Sequence, residues 1–264
     1  MVVPPDEMER WHGIVRDTGV ALQDYLRPYI TPVGRVIDHN YGELEGSGSY
    51  IESMGKRFLI TNEHVARRLE THQLSHQFNG CENVFGTRHD FISQGWPQDI
   101  AVGLIDDDVW NHSPHQAQEI PKFRFDMCHR PVDGELFLMC GFAAQRARFL
   151  FGTLITPYSP YLAQEPHPRP AFLDTRHFAL AYNPDRAQPI AGNGQLPGDP
   201  HGFSGSLVWN TRRVECRNRG IEWSPELATV TGIIHSWLST EALLVATRVE
   251  EILKFLHNEV PQRL

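Results

Sequence analysis

Three side chains whose types could together perform acyl transfer are spread widely along this 264-residue chain. His64 follows the apolar run of "RFLITNEHV", Asp99 precedes that of "QDIAVGLI", and Ser204 stands in "HGFSGSLVW". In such chemistry a hydroxyl attacks a carbonyl carbon, an imidazole takes its proton, and a carboxylate orients the imidazole. Each residue alone also has a structural reading, because strand-end histidines, turn-closing aspartates and serines in tight turns are common.

The serine lies in a turn that suits a nucleophile. Gly202 and Gly205 flank it in "HGFSG", and glycine adopts backbone angles that other residues resist. Such a turn can point the backbone N–H groups of Gly202 and Ser204 at one position. Two convergent N–H groups stabilise the oxyanion that forms during acyl transfer. The turn therefore predicts both a nucleophile and an oxyanion hole.

The elements that position these residues are short strands. Runs rich in β-branched and aromatic residues recur between Gly, Pro, Asn and Asp, which favours an all-β sandwich or barrel over repeated βαβ units. The runs are "RVID", "GSYIES", "KRFLITN", "IAVGLI", "ELFLMCGF", "RFLFGTLI", "FALAY", "GSLVW", "TVTGIIHSW" and "EALLVAT".

Helices are predicted at the two ends of the chain. Apolar residues at helical spacing predict one helix over 6–27, ended by Pro28, and an amphipathic helix over 247–260. Two segments are predicted to be connections. One is the polar stretch 106–121, and the other is the Pro-rich stretch 157–200, which we expect to order on binding a substrate or a regulatory partner.

Composition excludes several functions. The net charge is −8 and no Lys/Arg cluster exceeds a pair, so nucleic-acid binding has no electrostatic support. No apolar stretch approaches the length of a membrane span, and the first residues do not resemble a secretion signal. The four cysteines form no C-x-x-C pair. We therefore expect a cytoplasmic protein with reduced thiols, no metal site and no cofactor.

The order of these motifs resembles the trypsin-like, or chymotrypsin-fold, serine proteases over most of residues 44–257. "GSGSYIESMGKRFLITNEHV" is similar to the family's strand pair leading to the catalytic histidine, and "DIAV" to its aspartate motif. "GELFLMCGF" resembles the first strand of the second barrel. "GFSGS" stands at the place of G-D-S-G-G, "VTGIIHSW" at that of G-I-V-S-W, and "ATRVEEILKFL" at that of the C-terminal helix.

The resemblance implies a fold and a division of the chain. It implies two antiparallel β-barrels with the active site in the cleft between them, an N-terminal helical extension and a C-terminal helix. The extension would cover 1–30 and the peptidase domain 31–264. The first barrel would span about 31–120, and the second barrel with the C-terminal helix about 121–264.

The resemblance also implies a reaction and the residues that perform it. Ser204 would be the nucleophile, His64 the base and Asp99 its partner, with the backbone of Gly202 and Ser204 as the oxyanion hole. The reaction would be endopeptidase hydrolysis of a polypeptide through an acyl-enzyme, without a cofactor. The missing disulfides are typical of the disulfide-poor bacterial members.

The departures from the family pattern carry information about activation and specificity. Phe203 stands where secreted zymogens have an aspartate, so zymogen activation by a new N-terminus is not expected. The pocket for the residue before the cut would be lined by Gly198, Asp199, His235 and Ser236. Gly198 stands where trypsin-like enzymes have an acid, whereas Asp199 beside it keeps a basic preference open. His235 would fit an acidic or amide side chain, or it is simply a packed strand residue.

Three alternatives remain at this point. One is a trypsin-fold binding module without catalysis. Another is an α/β-hydrolase esterase, which needs a helix after G-x-S-x-G, whereas "LVWN" after Ser206 looks like a strand. The third is a metal site at His112 and His115, which Pro114 disfavours because it interrupts a helix.

Overall fold

The computed structural model describes residues 5–38, 41–67, 72–150, 153–184, 190 and 199–263. The chain begins with helix α1, Pro5–Leu26, followed by a short 3₁₀ turn at Arg27–Tyr29. Leu22 and Leu26 lie one helical turn apart and are fully buried, so this end of α1 is held by the core. Pro28 stops the helix, as the sequence predicts.

The first half of the chain forms a seven-stranded sheet. Its hydrogen-bonded order is β5-β4-β1-β2-β3-β7-β6, and every ladder in it is antiparallel. The short helices α2, Glu63–Ala66, and α3, Asp107–Trp110, leave this sheet at strand ends. The strands are β1 Ile30–Val36, β2 Gly42–Ser53, β3 Lys56–Thr61, β4 Leu74–Gln77, β5 Val84–Gly86, β6 Ile92–Gln94 and β7 Ile100–Ile105.

The second half forms a six-stranded antiparallel sheet of order β11-β8-β13-β14-β15-β12 and a separate two-stranded ladder, β10-β9. Helix α4, Arg213–Arg219, follows β13. The strands are β8 Phe137–Phe142, β9 Arg148–Leu150, β10 Thr153–Ile155, β11 Tyr158–Ala163, β12 His177–Ala181, β13 Leu207–Asn210, β14 Thr229–Leu238 and β15 Leu243–Arg248.

One large core joins the two halves. It takes apolar residues from both sheets, from α1 and from the C-terminal helix α5, Val249–Asn258. Ile252 and Phe255 of α5 are buried in it, as the amphipathic pattern predicts, and a last short helix, α6, spans Val260–Arg263. All four cysteines are free thiols.

The observed fold is mostly β, with antiparallel sheets and helices at both ends; it confirms part of one sequence-based expectation and corrects another. In the described residues each sheet has two edge strands, so the two closed barrels that we predicted are observed only as two antiparallel sheets. The stretch 157–200 is not one long connection, because β11 and β12 lie within it. Pairing with neighbouring strands orders those apolar runs despite their prolines. The antiparallel sheets also do not fit the α/β-hydrolase alternative, and Ser204 precedes strand β13, not a helix.

Candidate active site

The structure brings His64 and Asp99 into direct contact. The His64 Nδ1 atom lies 2.6 Å from Asp99 Oδ2, and the backbone N–H of His64 donates to Asp99 Oδ1 at 2.9 Å. His64 stands in the single turn of α2 directly after β3, and Asp99 stands directly before β7, which pairs with β3. Neighbouring strand ends therefore carry the two residues. Because a carboxylate only accepts, this contact places the ring proton on Nδ1 and leaves Nε2 as a base.

Asp99 is held in an uncommon backbone conformation by side chains from both sheets. Its φ is +51°, in the left-handed region. The three consecutive carbonyl oxygens of 97–99 each accept one side-chain hydrogen bond. The donors are His177 Nε2 at 2.7 Å, Thr247 Oγ1 at 2.8 Å and Asn62 Nδ2 at 2.7 Å, in chain order of the acceptors. We call Asn62, His177 and Thr247 the aspartate anchor.

The anchor was not found from the sequence. Asn62 lies two residues before His64 and could have been noticed there, but nothing in one sequence pairs His177 or Thr247 with the loop before Asp99. Strands β12 and β15 belong to the second sheet, whereas Asp99 precedes a strand of the first. The anchor therefore joins the two sheets at the aspartate.

The electrostatics of Asp99 favour its ionised form. Burial on its own raises the pKa of this carboxyl, because a charge is costly in a poorly solvated place. The hydrogen bonds from the His64 ring and backbone, together with the charge of that ring, act in the other direction and outweigh burial. The pKa of Asp99 therefore lies below its usual value. At neutral pH the carboxylate is charged and able to orient the imidazole.

The serine turn is shaped by two glycines in the left-handed region. Gly202 has φ +97° and Gly205 has φ +88°. A Cβ on Gly202 would overlap the carbonyl oxygen of Phe142, and one on Gly205 would overlap that of Ser47. Only glycine meets both the angle and the space requirement at these positions. The turn is thus specified by its sequence.

Hydrogen bonding alternates along this turn. The N–H of Phe203 donates to Pro200 O and that of Gly205 donates to Ile234 O, both at 2.9 Å. The N–H groups of Gly202 and Ser204 have no acceptor among the residues that the structure describes. These two N–H groups are the ones assigned to an oxyanion hole, and they are available for a ligand.

Ser47 of the first sheet fastens the serine turn. Its N–H donates to Ser204 O at 2.7 Å, and its hydroxyl donates to Gly202 O at 2.6 Å. The same hydroxyl accepts from the N–H of Phe142 at 3.0 Å. One serine therefore connects the turn to both sheets. Sequence reasoning missed Ser47, which lies in "GSGS" at the start of the histidine motif.

Gly46 links the serine turn to the histidine. A Cβ placed on Gly46 would lie 2.9 Å from the carbonyl oxygen of Ser204 and 2.9 Å from Cγ2 of Val65, the residue after His64. At this point only Gly46 of strand β2 lies between the serine turn and the segment that carries His64. The structure brings the chain at His64, Asp99 and Ser204 to one place, where the two sheets meet.

The residues predicted to contact the substrate side chain have different environments. Gly198 lies outside the described residues. Asp199 pairs with His201, two residues further along the chain. Its carboxylate accepts from the N–H of His201 at 2.9 Å and contacts the His201 ring. Burial alone would raise the pKa of Asp199, but the hydrogen bonds from His201 outweigh it, so the pKa lies below its usual value. Asp199 is therefore a charged group whose partner is already present.

His235 is buried beside the aspartate loop. Its exposed fraction is 5%, its Nδ1 lies 3.0 Å from the hydroxyl of Ser236, and its ring packs against Trp96 and His177. Burial lowers the pKa of His235 to about 4, with a further contribution from the nearby His177. Asp99 acts weakly in the opposite direction, which places His235 within its electrostatic reach. His235 is thus neutral at pH 7.

No group of three or more metal-ligating side chains occurs in the described part of the chain. Both ring nitrogens of His115 have local partners, the carbonyl oxygen of Trp110 at 2.7 Å and the N–H of Ala117 at 3.1 Å. The His115 ring therefore stabilises its own loop through both nitrogens. Among the described helices none is long and apolar enough to cross a membrane.

Two proteases are among the solved structures that are similar to this chain. The thermostable serine protease AL20 from an extremophilic microorganism has a TM-score of 0.51 at 10% identity, covering 90% of this chain and 99% of its own. The MamO protease domain of Magnetospirillum magneticum in its apo form has a TM-score of 0.50 at 13% identity, covering 90% and 100%. No protein-family model and no curated protein matches the sequence. The similarity shows a chymotrypsin-like protease fold, and the chemistry is argued from the residues.

Proposed function

We propose that this protein is a serine endopeptidase. The observation that carries the proposal is the 2.6 Å contact between His64 and Asp99 beside a glycine-shaped turn with Ser204 and two unused N–H groups. Each part has the residue type that acyl transfer needs, and the low pKa of Asp99 keeps that carboxylate ionised. The fold shared with two proteases is consistent with this proposal.

The proposed reaction proceeds in two halves. Ser204 Oγ attacks the carbonyl carbon of the peptide bond while His64 Nε2 takes the hydroxyl proton. The oxyanion is stabilised by the N–H groups of Gly202 and Ser204. Collapse breaks the C–N bond, and the amine leaves with the proton from His64. Water then attacks the acyl-enzyme with His64 as base, which releases the acid and restores Ser204.

A fluorophosphonate probe tests the nucleophile directly. We expect the wild-type protein to be labelled on Ser204 and the Ser204→Ala variant to be unlabelled. Ser206→Ala is the matched control, because Ser206 lies two residues away and is buried. Equal labelling of wild type and Ser204→Ala would show that the nucleophile is misassigned. A wild type that is neither labelled nor active on casein would instead favour a non-catalytic binding module.

Specificity, partners and location belong to the same proposal. The Asp199–His201 pair leaves this carboxylate less available to a basic substrate side chain, which argues against trypsin-like preference. A peptide-library cleavage profile dominated by Arg or Lys would contradict this.

Free thiols at all four cysteines fit the proposed cytoplasmic location in a bacterium, which cell fractionation tests. Copurification from the native cell would test for a regulatory partner.

A further inference from the structure

Helix α4 lies at the end of β13 away from the serine turn and is fixed at both of its ends. The buried carboxylate of Glu135 accepts from the N–H groups of Val214 and Glu215, each at 2.9 Å. At the other end Gly220 adopts φ +65°, and the N–H of Ile221 donates to Cys216 O at 2.9 Å. The side chains of α4 therefore project from a rigid base.

Two arginines of α4 stack on tryptophans from other segments. The Arg213 Cζ atom lies 4.9 Å from the ring centroid of Trp223, and Arg217 Cζ lies 5.8 Å from that of Trp11 in α1. Trp223 is itself fixed, because its Nε1 donates to Thr211 O at 2.7 Å. Stacking holds a guanidinium in place by its face and leaves the N–H groups at its edge free for an anion.

These two arginines differ from their neighbours on the same helix. Arg212 and Arg219 both form ion pairs with Glu215 at 2.9 Å. Arg213 and Arg217 have no carboxylate partner among the described residues. The whole chain has 32 acidic against 24 basic side chains, a net charge of −8. The pair therefore offers an acidic ligand a local attraction that the net negative charge of the chain does not.

An apolar groove lies beside the two arginines, between α1 and α4. It consists of two adjoining cavities of about 440 and 580 Å³ that share Trp11, Ile14 and Arg217. Ile221 and Met8 border it and are close to half exposed. Two carboxylates, Glu7 and Glu222, and a third cation, Arg10, also lie along its walls, so the lining keeps a small excess of positive charge to which the arginine pair contributes.

We propose that the groove between α1 and α4 binds an acidic, extended segment of a partner protein that also carries an aromatic or aliphatic anchor. Arg213 and Arg217 lie four residues apart, which is about 6 Å along a helix. Carboxylates two residues apart on an extended strand are about 6.6 Å apart on one face. The spacing fits a segment of the form acid-x-acid, with an apolar side chain two residues further on entering the cavity at Trp11.

This inference does not depend on the proposed peptidase activity. The groove is separated from the serine turn by strand β13, and none of its residues contributes to the His64–Asp99 pair. Failure of the peptidase proposal would leave the groove and its charges unchanged. The two proposals are therefore tested by different variants and different readouts.

A random-peptide display library provides the probe. The library is selected on immobilised full-length protein and counter-selected on the Arg213→Gln/Arg217→Gln variant. We expect enrichment of peptides of the form acid-x-acid that carry a Trp, Phe or Leu two residues after the second acid. A labelled enriched peptide should bind the double variant at least about tenfold more weakly than wild type, because both charge-assisted contacts are lost. Arg219→Gln is the matched control on the same helix and should bind like wild type.

Two further binding measurements distinguish the contribution of the arginine charges from that of the groove. Trp11→Ala should weaken binding about tenfold, since it removes both the cavity wall and the stacking partner of Arg217. Replacing the aromatic residue of the peptide by serine should have a similar effect. No enrichment over the counter-selected variant would overturn the proposal. Equal binding of the serine-substituted peptide would also overturn it, because then the groove plays no part. Circular dichroism establishes that each variant is folded.

Discussion

The two sides of the candidate active site are built in opposite ways. On the aspartate side nearly every polar group is occupied: both oxygens of Asp99 accept from His64, and three consecutive carbonyls accept from the aspartate anchor. On the serine side the N–H groups of Gly202 and Ser204 are left without an acceptor in the described residues. The first side thus has its hydrogen bonds already made, whereas the second keeps two donors free in a turn that is held by Ser47 and by the backbone angles of its glycines.

The difference follows from what happens to charge at each side. Asp99 is negatively charged before, during and after the proposed reaction, so hydrogen bonds can be made to it permanently. The oxyanion exists only within the reaction, so its donors must be placed in advance and kept free. Variants on the two sides should therefore lose activity by different amounts and for different reasons.

The largest effect is expected from Asp99→Asn. The amide no longer holds the Nδ1–H tautomer of His64, and kcat should fall by about 10⁴-fold. Asparagine tolerates the left-handed region, so the variant should still fold. Steady-state kinetics on a peptide substrate measure the loss. An unchanged kcat would show that the aspartate side has no part in catalysis.

A smaller loss is expected on the serine side, from Gly202→Ala. The new Cβ overlaps the carbonyl of Phe142, so the turn must shift and its N–H groups move. Losing one such donor costs about 10²-fold in kcat. Gly134→Ala is the control, because Gly134 also has positive φ, but the nearest atom to its Cβ position is 3.7 Å away. The control should lose about 1 kcal/mol of stability and keep its activity. Equal activity of the two variants would contradict a preformed oxyanion hole.

An intermediate test concerns the aspartate anchor. Thr247→Val removes the donor to Gln98 O, so the loop before Asp99 should loosen and kcat fall about tenfold with KM unchanged. Thr247→Ser should restore most of the activity. Thr31→Val is the comparison away from the site, since Thr31 Oγ1 donates to Gln77 O at the same 2.8 Å; it also accepts from the Gln77 N–H at 3.1 Å, so its loss of stability should be at least as large. Both valine variants should lose about 1 kcal/mol of unfolding free energy. If both also lose activity equally, the anchor is only structural.

The smallest expected effect is on the acid dependence of stability. It compares two buried histidines, one from each sheet. His76 and His235 each place Nδ1 near a hydroxyl, that of Tyr50 or Ser236, and neither Nε2 has a partner among the described residues. Burial lowers the pKa to about 3 for His76 and to about 4 for His235. The unfolded chain therefore binds protons that the folded chain does not. Stability is complete above about pH 6.5 and falls as the pH drops towards 4.

Replacing either histidine by glutamine should reduce this acid dependence by up to about 1.4 kcal/mol per pH unit. The free energy of unfolding in urea, measured at pH 7 and at pH 4 on either side of the ordinary histidine pKa of about 6.5, gives this acid dependence. Only His235→Gln should also alter kcat, because His235 packs on His177 and Trp96 beside the aspartate loop. A change in kcat for His76→Gln would remove the contrast between the two sheets.

Much of the site was predictable from the sequence because its signals are local. The run before His64, the run after Asp99 and the glycines around Ser204 each predict a strand end or a turn, and the structure has them there. Ser47 and Thr247 were not predictable, since their roles depend on which atoms the folding of two sheets brings together. Closure of the sheets into barrels stays a prediction for a related reason. Strand patterns indicate pairing within a sheet, but not whether its edges meet.

The aspartate anchor also sets the earliest point during synthesis at which the candidate site can assemble. The donors to the carbonyls of Pro97 and Gln98 follow them by 80 and 149 residues. A nascent chain that has left the ribosome up to the end of the first sheet already contains His64 and Asp99, but it lacks Thr247 and the serine turn. The last donor is made only 17 residues before the final residue of this sequence. Translation thus delays the assembly of the candidate site until Thr247 has been added to the chain.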